Sequence, residues 1–293
     1  MNLAVTVLHI VAPVFLLAGI GFAWVKAGLE YRIQFVTQLA MTLSLPCLIF
    51  VSLMQTDIDP AALGVLSVAS VVAYGAITIA FLALVRFARL NTRTYAAPLI
   101  FGNTGNLGLP LALFAFGETG LSYAIIVFAI MALWSYTFGI WLVAGAGSLG
   151  KVLREPLVWG TVLGAVFLWQ GWQTPTFLTN ALDLVGQMAI PMMLITLGVA
   201  VARLSVKGLM HAAALSAVKL VLCTGTAWIV GRYFQLDPIA FGVLVLQVAT
   251  PVAVTSYLLA EKYGAHSDKV AGLVVASTLM SVAALPVILA FVL

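Results

Sequence analysis

The segment 101–110, Phe-Gly-Asn-Thr-Gly-Asn-Leu-Gly-Leu-Pro, places polar and flexible residues in the middle of an apolar run. In lipid, a helix interrupted in this way survives only inside protein or against an aqueous cavity, because its backbone polar groups must be satisfied. Discontinuous membrane helices of this kind form the binding sites of transporters. We therefore interpret the segment as part of a transport site with four candidate substrate-binding residues, Asn103, Thr104, Asn106 and Pro110.

A second polar interruption, at 247–256, reads Gln-Val-Ala-Thr-Pro-Val-Ala-Val-Thr-Ser, and Thr250, Pro251 and Thr255 are its candidate site residues. The structural alternative for Asn103, Thr104 and Asn106 is that they cap freed backbone groups where span 4 breaks. The alternative for Pro110 and Pro251 is that they are ordinary helix kinks. Lys219 lies deep inside the apolar segment 209–231. A lysine at that depth costs at least about 2.5–3.5 kcal/mol. We expect it to balance an anionic substrate or to replace a coupling cation; the alternative is a lysine bonded to helix carbonyls or paired with a carboxylate.

The composition indicates an all-α integral membrane protein in the lipid bilayer. Of the 293 residues, 63% are hydrophobic and only 8% are charged, against roughly 25% charged residues in soluble domains. The basic residues form no stripe with interleaved aromatics, so nucleic acid is not an expected partner. We find no metal-ligand spacing and no nucleophile–base motif, and we predict neither a cofactor nor an enzyme activity. An ion channel stays an alternative, because irregular backbone also builds selectivity filters.

Counting about 20 apolar residues for each span predicts ten transmembrane helices. They lie at about 4–25, 33–54, 62–85, 95–116, 121–145, 156–172, 180–202, 209–231, 238–260 and 270–292. Eleven of the 13 Lys and Arg residues fall in odd-numbered connections, whereas the even-numbered connections hold only Arg232. The positive-inside rule then places the odd connections in the cytoplasm and both termini on the extracytoplasmic side of the cell (inner) membrane.

The sequence also shows an internal repeat, with matching segments separated by about half the length of the chain. Leu45-Pro46 and Ile190-Pro191 occupy corresponding positions, and so do the ends of spans 4 and 9, at 116–120 and 260–264. Two repeats, residues 1–145 and 146–293, would carry five spans each and would face the membrane in opposite senses. This inverted repeat predicts that the broken helices 4 and 9 cross near the midplane.

Two motifs carry a resemblance to a known family. The fourth span of the auxin efflux carrier family resembles Asn103-Thr104 together with Gly-Leu-Pro-Leu at 108–111. The ninth span of that family resembles Ala-Thr-Pro at 249–251 together with Ala-Glu-Lys-Tyr at 260–263. That family includes plant PIN auxin exporters and bacterial carriers of malate, malonate and similar acids. The resemblance implies a fold like that of the bile acid–sodium symporters, with a scaffold of spans 1, 2, 6 and 7, a core of spans 3–5 and 8–10, and a homodimer formed through the scaffold.

The resemblance also implies that Asn103 hydrogen-bonds the substrate, and it favours secondary transport of a small organic anion, a carboxylate or an auxin-like acid. Two departures favour a bacterial-type carrier over an auxin carrier. Only residues 146–155 stand where many plant PINs have a long cytoplasmic loop, and Ser256 replaces a proline. A sodium-coupled symporter of the bile-acid type stays an alternative. The absence of Asp and Glu inside spans 3–5 and 8–10 argues against cation exchange.

Overall fold

A computed structural model describes residues 3–144, 155–204 and 209–293. These residues fold into α-helices, and among them no β-strand occurs beyond one isolated bridge between Gly102 and Val252. The helices are α1 Leu3–Lys26, α2 Ile33–Gln55, α3 Pro60–Phe87, α4 Thr92–Ile100, α5 Thr104–Ala144, α6 Pro156–Gln170, α7 Thr176–Arg203, α8 Leu209–Tyr233, α9 Pro238–Val248, α10 Val254–Lys262 and α11 Ser267–Val292.

The prediction of an all-helical, multi-pass membrane protein is confirmed. Within the described ranges, seven helices are long and apolar enough to cross a bilayer, namely α1, α2, α3, α5, α7, α8 and α11. The apolar helices α6 and α9 are shorter. The predicted span 4 covers α4 and the beginning of α5, and the predicted span 9 covers α9 and α10. The count of ten spans and their inverted repeat stay predictions.

Helix α5 bends between its two halves. Gly117 has φ 66° and ψ −158°, which a residue with a side chain adopts with difficulty. One predicted span ends at residue 116 and the next begins at 121, so the bend lies where a connection is predicted. The limits of α3 and α9 follow from local chemistry, because Asp59 and Asp237 accept hydrogen bonds from the backbone N–H groups that begin each helix.

The helices pack in two groups. In the first, α1 packs along the second half of α7, and α2 packs against α6 and the first half of α7. Small residues permit this approach: a Cβ on Gly198 would collide with the backbone of Ala18, and a Cβ on Gly160 would lie 2.8 Å from the carbonyl oxygen of Pro46. In the second group, α8 packs on α9 and α11, while α5 packs on α3 and α9. Buried apolar side chains fill both groups and the contact between them.

Candidate functional site

The two polar interruptions lie side by side. Helix α4 ends at Ile100 before α5 begins, and α9 ends at Val248 before α10 begins. We call the two connections, 101–103 and 249–253, the junction. The N–H of Asn103 donates to the carbonyl oxygen of Pro251 at 2.7 Å, and Gly102 pairs with Val252 in an antiparallel bridge. Each interruption therefore satisfies backbone groups of the other.

Glycine is required at the closest point of the junction. A Cβ on Gly102 would collide with Oγ1 of Thr250 and lie 3.1 Å from its carbonyl oxygen. The Thr250 hydroxyl itself donates to the carbonyl of Gln247 at 2.7 Å, which satisfies the end of α9. From α11, the hydroxyl of Ser277 accepts the N–H of Val252 at 3.0 Å. The hydroxyls of Thr250 and Ser277 thus satisfy backbone groups of the second interruption.

A cavity of about 240 Å³ opens beside the junction. The first residues of two helices border it: Asn103, Gly105 and Asn106 at the beginning of α5, and Ala253 and Thr255 at the beginning of α10. Helix N-termini carry unpaired N–H groups and a partial positive charge of roughly half an elementary charge, so both favour an anion. Its further lining is a polar set, Ser135, Tyr136 and Lys262, and an apolar set, Met41, Phe101, Gly102, Phe128, Met131, Ala132, Leu258 and Leu259.

Lys262 is the one charged side chain among the described residues that line this cavity, and no Asp or Glu lines it. Its ammonium group lies 5.7 Å from the ring centroid of Tyr263 at the end of α10. The cavity therefore combines one full positive charge, two helix N-termini and an apolar wall. Such a site suits an anion that carries a small apolar body.

Three of the predicted site residues line the cavity. Asn103 is only 5% exposed, and its amide nitrogen Nδ2 is buried without a hydrogen-bond partner among the described residues. Asn106 is half-buried, and Thr255 is exposed on the first turn of α10. An unpaired buried donor costs about 1–3 kcal/mol, and a carboxylate in the cavity would supply its partner.

The other predicted residues do not line this cavity. Thr104 is fully buried, and its hydroxyl has no partner in the described part of the chain. Pro110 is buried in α5, where the α-helical part of that helix begins after the π-helical turn Thr104–Gly108, and a proline is tolerated at such a position. Thr250 and Pro251 line a separate, smaller space together with Lys219.

Lys219 is buried, with 2% of its surface exposed. Its ammonium group donates to the carbonyl oxygen of Leu99 at 2.9 Å and lies 3.9 Å from Sγ of Cys223. Leu99 belongs to the last turn of α4, where helix carbonyls are unpaired and the helix carries partial negative charge. Lys219 is therefore bonded to helix carbonyls, which was the structural alternative, and it holds the end of α4 beside the junction.

Two residues of this cavity, Lys262 and Tyr136, are not among the predicted site residues. Lys262 enters the sequence argument as a topology signal and as part of the motif at 260–263, although Thr255, Leu258 and Lys262 also recur at helical spacing on one face of α10. That periodicity could have placed the lysine beside the interruption. The predicted crossing of spans 4 and 9 implies that the first turns of α5 and α10 lie close together, but nothing in the sequence indicates that Tyr136 lines a cavity with them.

A larger cavity of about 1010 Å³, lined by the end of α2, the beginnings of α3 and α9 and the middle of α5 and α7, is acidic. Five carboxylates line it: Asp57, Asp59, Glu118, Asp183 and Asp237. Several of them bind neighbouring groups, since Asp183 accepts from Gln187 at 2.8 Å and Asp237 accepts from the hydroxyl of Tyr123 at 2.8 Å. This cavity repels anions, in contrast to the cavity at the junction.

Apolar membrane-spanning helices, two interrupted helices and a cavity between their first turns are typical of a multi-pass membrane transporter. A family profile described as "Membrane transport protein" matches residues 6–152 and 146–289. The chain therefore belongs to this family, that of the auxin efflux carriers, which confirms the resemblance seen in the sequence.

Three curated relatives agree with this assignment. The chain is 26% identical over 262 residues to a protein of Rhizobium meliloti named "Putative malonate transporter", covering 82% of this chain and 81% of the relative. It is 26% identical over 263 residues to an uncharacterized transporter of Methanothermobacter thermautotrophicus, covering 85% of each. It is also 26% identical to an uncharacterized transporter of Methanocaldococcus jannaschii, where the match spans 56% of each chain.

Proposed function

We propose that the protein is a secondary carrier of a small organic anion, whose carboxylate binds in the cavity beside the junction. One observation carries the proposal: the N-termini of α5 and α10, the unpaired amide of Asn103 and the ammonium of Lys262 meet at a cavity without a lining carboxylate. Each of these groups favours a negative charge. The membrane transport family and the relative named for malonate support a carrier of this kind.

The lining also limits the substrate. A single lysine and two partial helix charges suit one carboxylate held near the junction. Around them, Phe101, Phe128, Met131 and Leu258 offer an apolar wall for the rest of the molecule. We therefore propose that a monocarboxylate with an apolar body binds more tightly than a dicarboxylate such as malonate, because the second charge would have to contact that wall.

We propose alternating access as the mechanism, with the helices α1, α2, α6 and α7 as a scaffold and the remaining helices as a moving core. The two packing groups support this division. The core would carry the junction past the scaffold and expose the cavity to one side at a time. The ten-span inverted repeat, both termini on the extracytoplasmic side of the cell membrane, and a homodimer through the scaffold belong to the same proposal.

Lys219 acts in this proposal as a positioning residue and does not bind substrate. In sodium-coupled carriers, half-helix C-terminal ends and unwound carbonyls coordinate the ion. Here the Lys219 ammonium already contacts such a carbonyl, that of Leu99 at 2.9 Å. This contact favours a carrier that needs no sodium over the alternative of a sodium-coupled symporter.

Uptake into proteoliposomes tests the proposal. Radiolabelled malonate, a short aliphatic monocarboxylate and indole-3-acetate should enter in a saturable way and compete with one another. Lys262→Gln should raise the concentration needed for half-maximal uptake. Arg86→Gln removes a charge from an exposed residue at the end of α3, outside the cavity, and serves as the control. Uptake of none of the acids, equal uptake by both variants, or single-channel currents would contradict the proposal.

A further inference from the structure

A second basic cavity, separate from the one at the junction, has a volume of about 520 Å³. It lies where α3 ends and where α4, α8 and α11 begin. Arg89, His211, His266 and Lys269 line it together with Asn91 and Tyr95, and no carboxylate is among its described lining residues. Two cations, Arg89 and Lys269, and two imidazoles from three different elements thus surround one space.

The two strongest bases of this cavity have no partner within the described chain. Of the 13 Lys and Arg residues, three lie outside the described ranges, which leaves ten. Seven of these ten make a hydrogen bond, an ion pair or a cation–π contact: Lys26, Arg32, Arg93, Arg203, Lys219, Arg232 and Lys262. The remaining three are Arg86, Arg89 and Lys269, and two of them line this cavity. The cavity therefore brings together two cations, Arg89 and Lys269, that make no hydrogen bond, ion pair or cation–π contact within the described chain.

The backbone of Arg89 supports a role for its side chain. Helix α3 ends with the N–H of Leu90 donating to the carbonyl of Val85 at 2.9 Å, and Arg89 between them has φ 53°. Glycine is the usual residue at such a left-handed helix end, because a Cβ is disfavoured there. An arginine in this conformation projects into a cavity that already holds other bases.

Two helix N-termini open on the same cavity. Asn91 caps α4 by accepting the N–H of Thr94 at 3.1 Å, while His266 precedes α11 without a side-chain hydrogen bond to that helix. Phosphate groups bind at helix N-termini through free N–H groups and the helix dipole. At α11 the N–H groups of Ser267 and Lys269 already donate to the carbonyl oxygens of Ala265 at 2.8 Å and His266 at 3.1 Å, so this helix would act on a ligand mainly through its dipole. One carboxylate, Asp268, lies in the first turn of α11 but is not among the lining residues.

We propose that this cavity binds a phosphate-bearing anion, either the headgroup of an acidic phospholipid or free phosphate. A tetrahedral anion with several acceptor oxygens can accept hydrogen bonds from Arg89 and Lys269 while it lies at the N-terminus of α11. One carboxylate has fewer acceptor oxygens and makes these contacts less well. The predicted topology places this end of the core in the cytoplasm, where acidic lipids attract basic residues at the membrane surface. The site is distinct from the transport cavity, and its occupant is not the transported anion.

Thermal unfolding in nanodiscs tests this site, because a ligand that binds the native state raises the unfolding midpoint. Wild-type protein is compared in pure phosphatidylcholine, in phosphatidylcholine mixed with phosphatidylglycerol, and in pure phosphatidylcholine with added inorganic phosphate. Sodium chloride at matched ionic strength controls for screening. A rise with phosphatidylglycerol identifies the lipid headgroup, and a rise with inorganic phosphate alone identifies the free ion.

Two variants link the effect to the cavity. Arg89→Gly keeps a favoured backbone at φ 53° and removes the guanidinium, so the unliganded protein should remain as stable as wild type. Lys269→Gln removes the other unpaired charge. Each should weaken binding of the anion about fivefold.

Gln235→Gly is the matched control, because Gln235 ends α8 with φ 51° away from this cavity. It should leave the response to the anion unchanged. No rise in midpoint with either probe, or a rise that persists fully in Arg89→Gly and Lys269→Gln, overturns the proposal.

Discussion

Replacing Asn103 by alanine should weaken anion binding and leave the ligand-free protein folded. The side chain is 5% exposed, and its Nδ2 has no partner among the described residues, whereas its backbone N–H keeps the bond to Pro251. A hydrogen bond to a charged group contributes about 1.5–3 kcal/mol. Since 1.4 kcal/mol corresponds to a factor of ten, the dissociation constant should rise about tenfold to a hundredfold.

The effect on the stability of the ligand-free protein should be small. The unpaired buried donor costs the ligand-free wild type about 1–3 kcal/mol. Truncation removes this cost, and the gain offsets the lost packing of a small side chain. The free energy of unfolding of the ligand-free protein should therefore fall by less than about 1 kcal/mol. Binding and stability then separate, which a merely structural role for Asn103 would not allow.

The assay is equilibrium binding of a labelled carboxylate to protein in nanodiscs, together with the thermal midpoint of the ligand-free protein. Thr104→Val is the matched control, because this neighbouring hydroxyl is also buried and unpaired but does not line the cavity. Its affinity should stay within about twofold of wild type. An unchanged affinity in Asn103→Ala, or an equal loss in both variants, would refute the reasoning.

Three further predictions follow from the fold. Single cysteines at Thr92 and Gln173 should react with impermeant reagents from opposite sides of the membrane, and labelling from one side would contradict the topology. Lys219→Gln should reduce transport more than Lys219→Arg, because only arginine keeps the positive charge beside the carbonyl of Leu99. A sodium gradient should not stimulate transport by the wild type. Full activity of both variants, or a sodium requirement, would exclude the positioning role of Lys219. Gly198→Ala should lower the thermal midpoint because its Cβ meets backbone, at a cost of about 1–3 kcal/mol, whereas Gly225→Ala, with no atom within 4 Å of its Cβ, should not.

The helices could be predicted from the sequence because lipid imposes length and apolarity on each segment. The polar interruptions at 101–110 and 247–256 were visible for the same reason, since Gly, Asn and Pro are costly there without a purpose. The sequence also indicated where α5 bends, near Gly117, because the apolar run weakens before Leu121.

The contacts around the junction could not be predicted, because they join residues far apart in the chain. The partner of Lys219 is a backbone carbonyl 120 residues away, and every residue has such a carbonyl, so the sequence of side chains does not identify it. Within the second interrupted segment, Thr250 and Pro251 line the smaller space beside Lys219, whereas Thr255 lines the cavity at the junction. The chain turns between Pro251 and Thr255, which the sequence does not show. The meeting of five carboxylates in one cavity likewise depends on how helix ends assemble, which periodicity does not report.

The central claim is that the substrate carboxylate binds beside the junction. Anomalous scattering from crystals soaked with a bromine-labelled carboxylate measures this directly, because bromine marks the position of the ligand. The account predicts one bromine peak inside the cavity of about 240 Å³, with the carboxylate at the N-termini of α5 and α10 and beside Asn103. A bromine peak in the acidic cavity, or beside Lys219 in the separate smaller space, would contradict it.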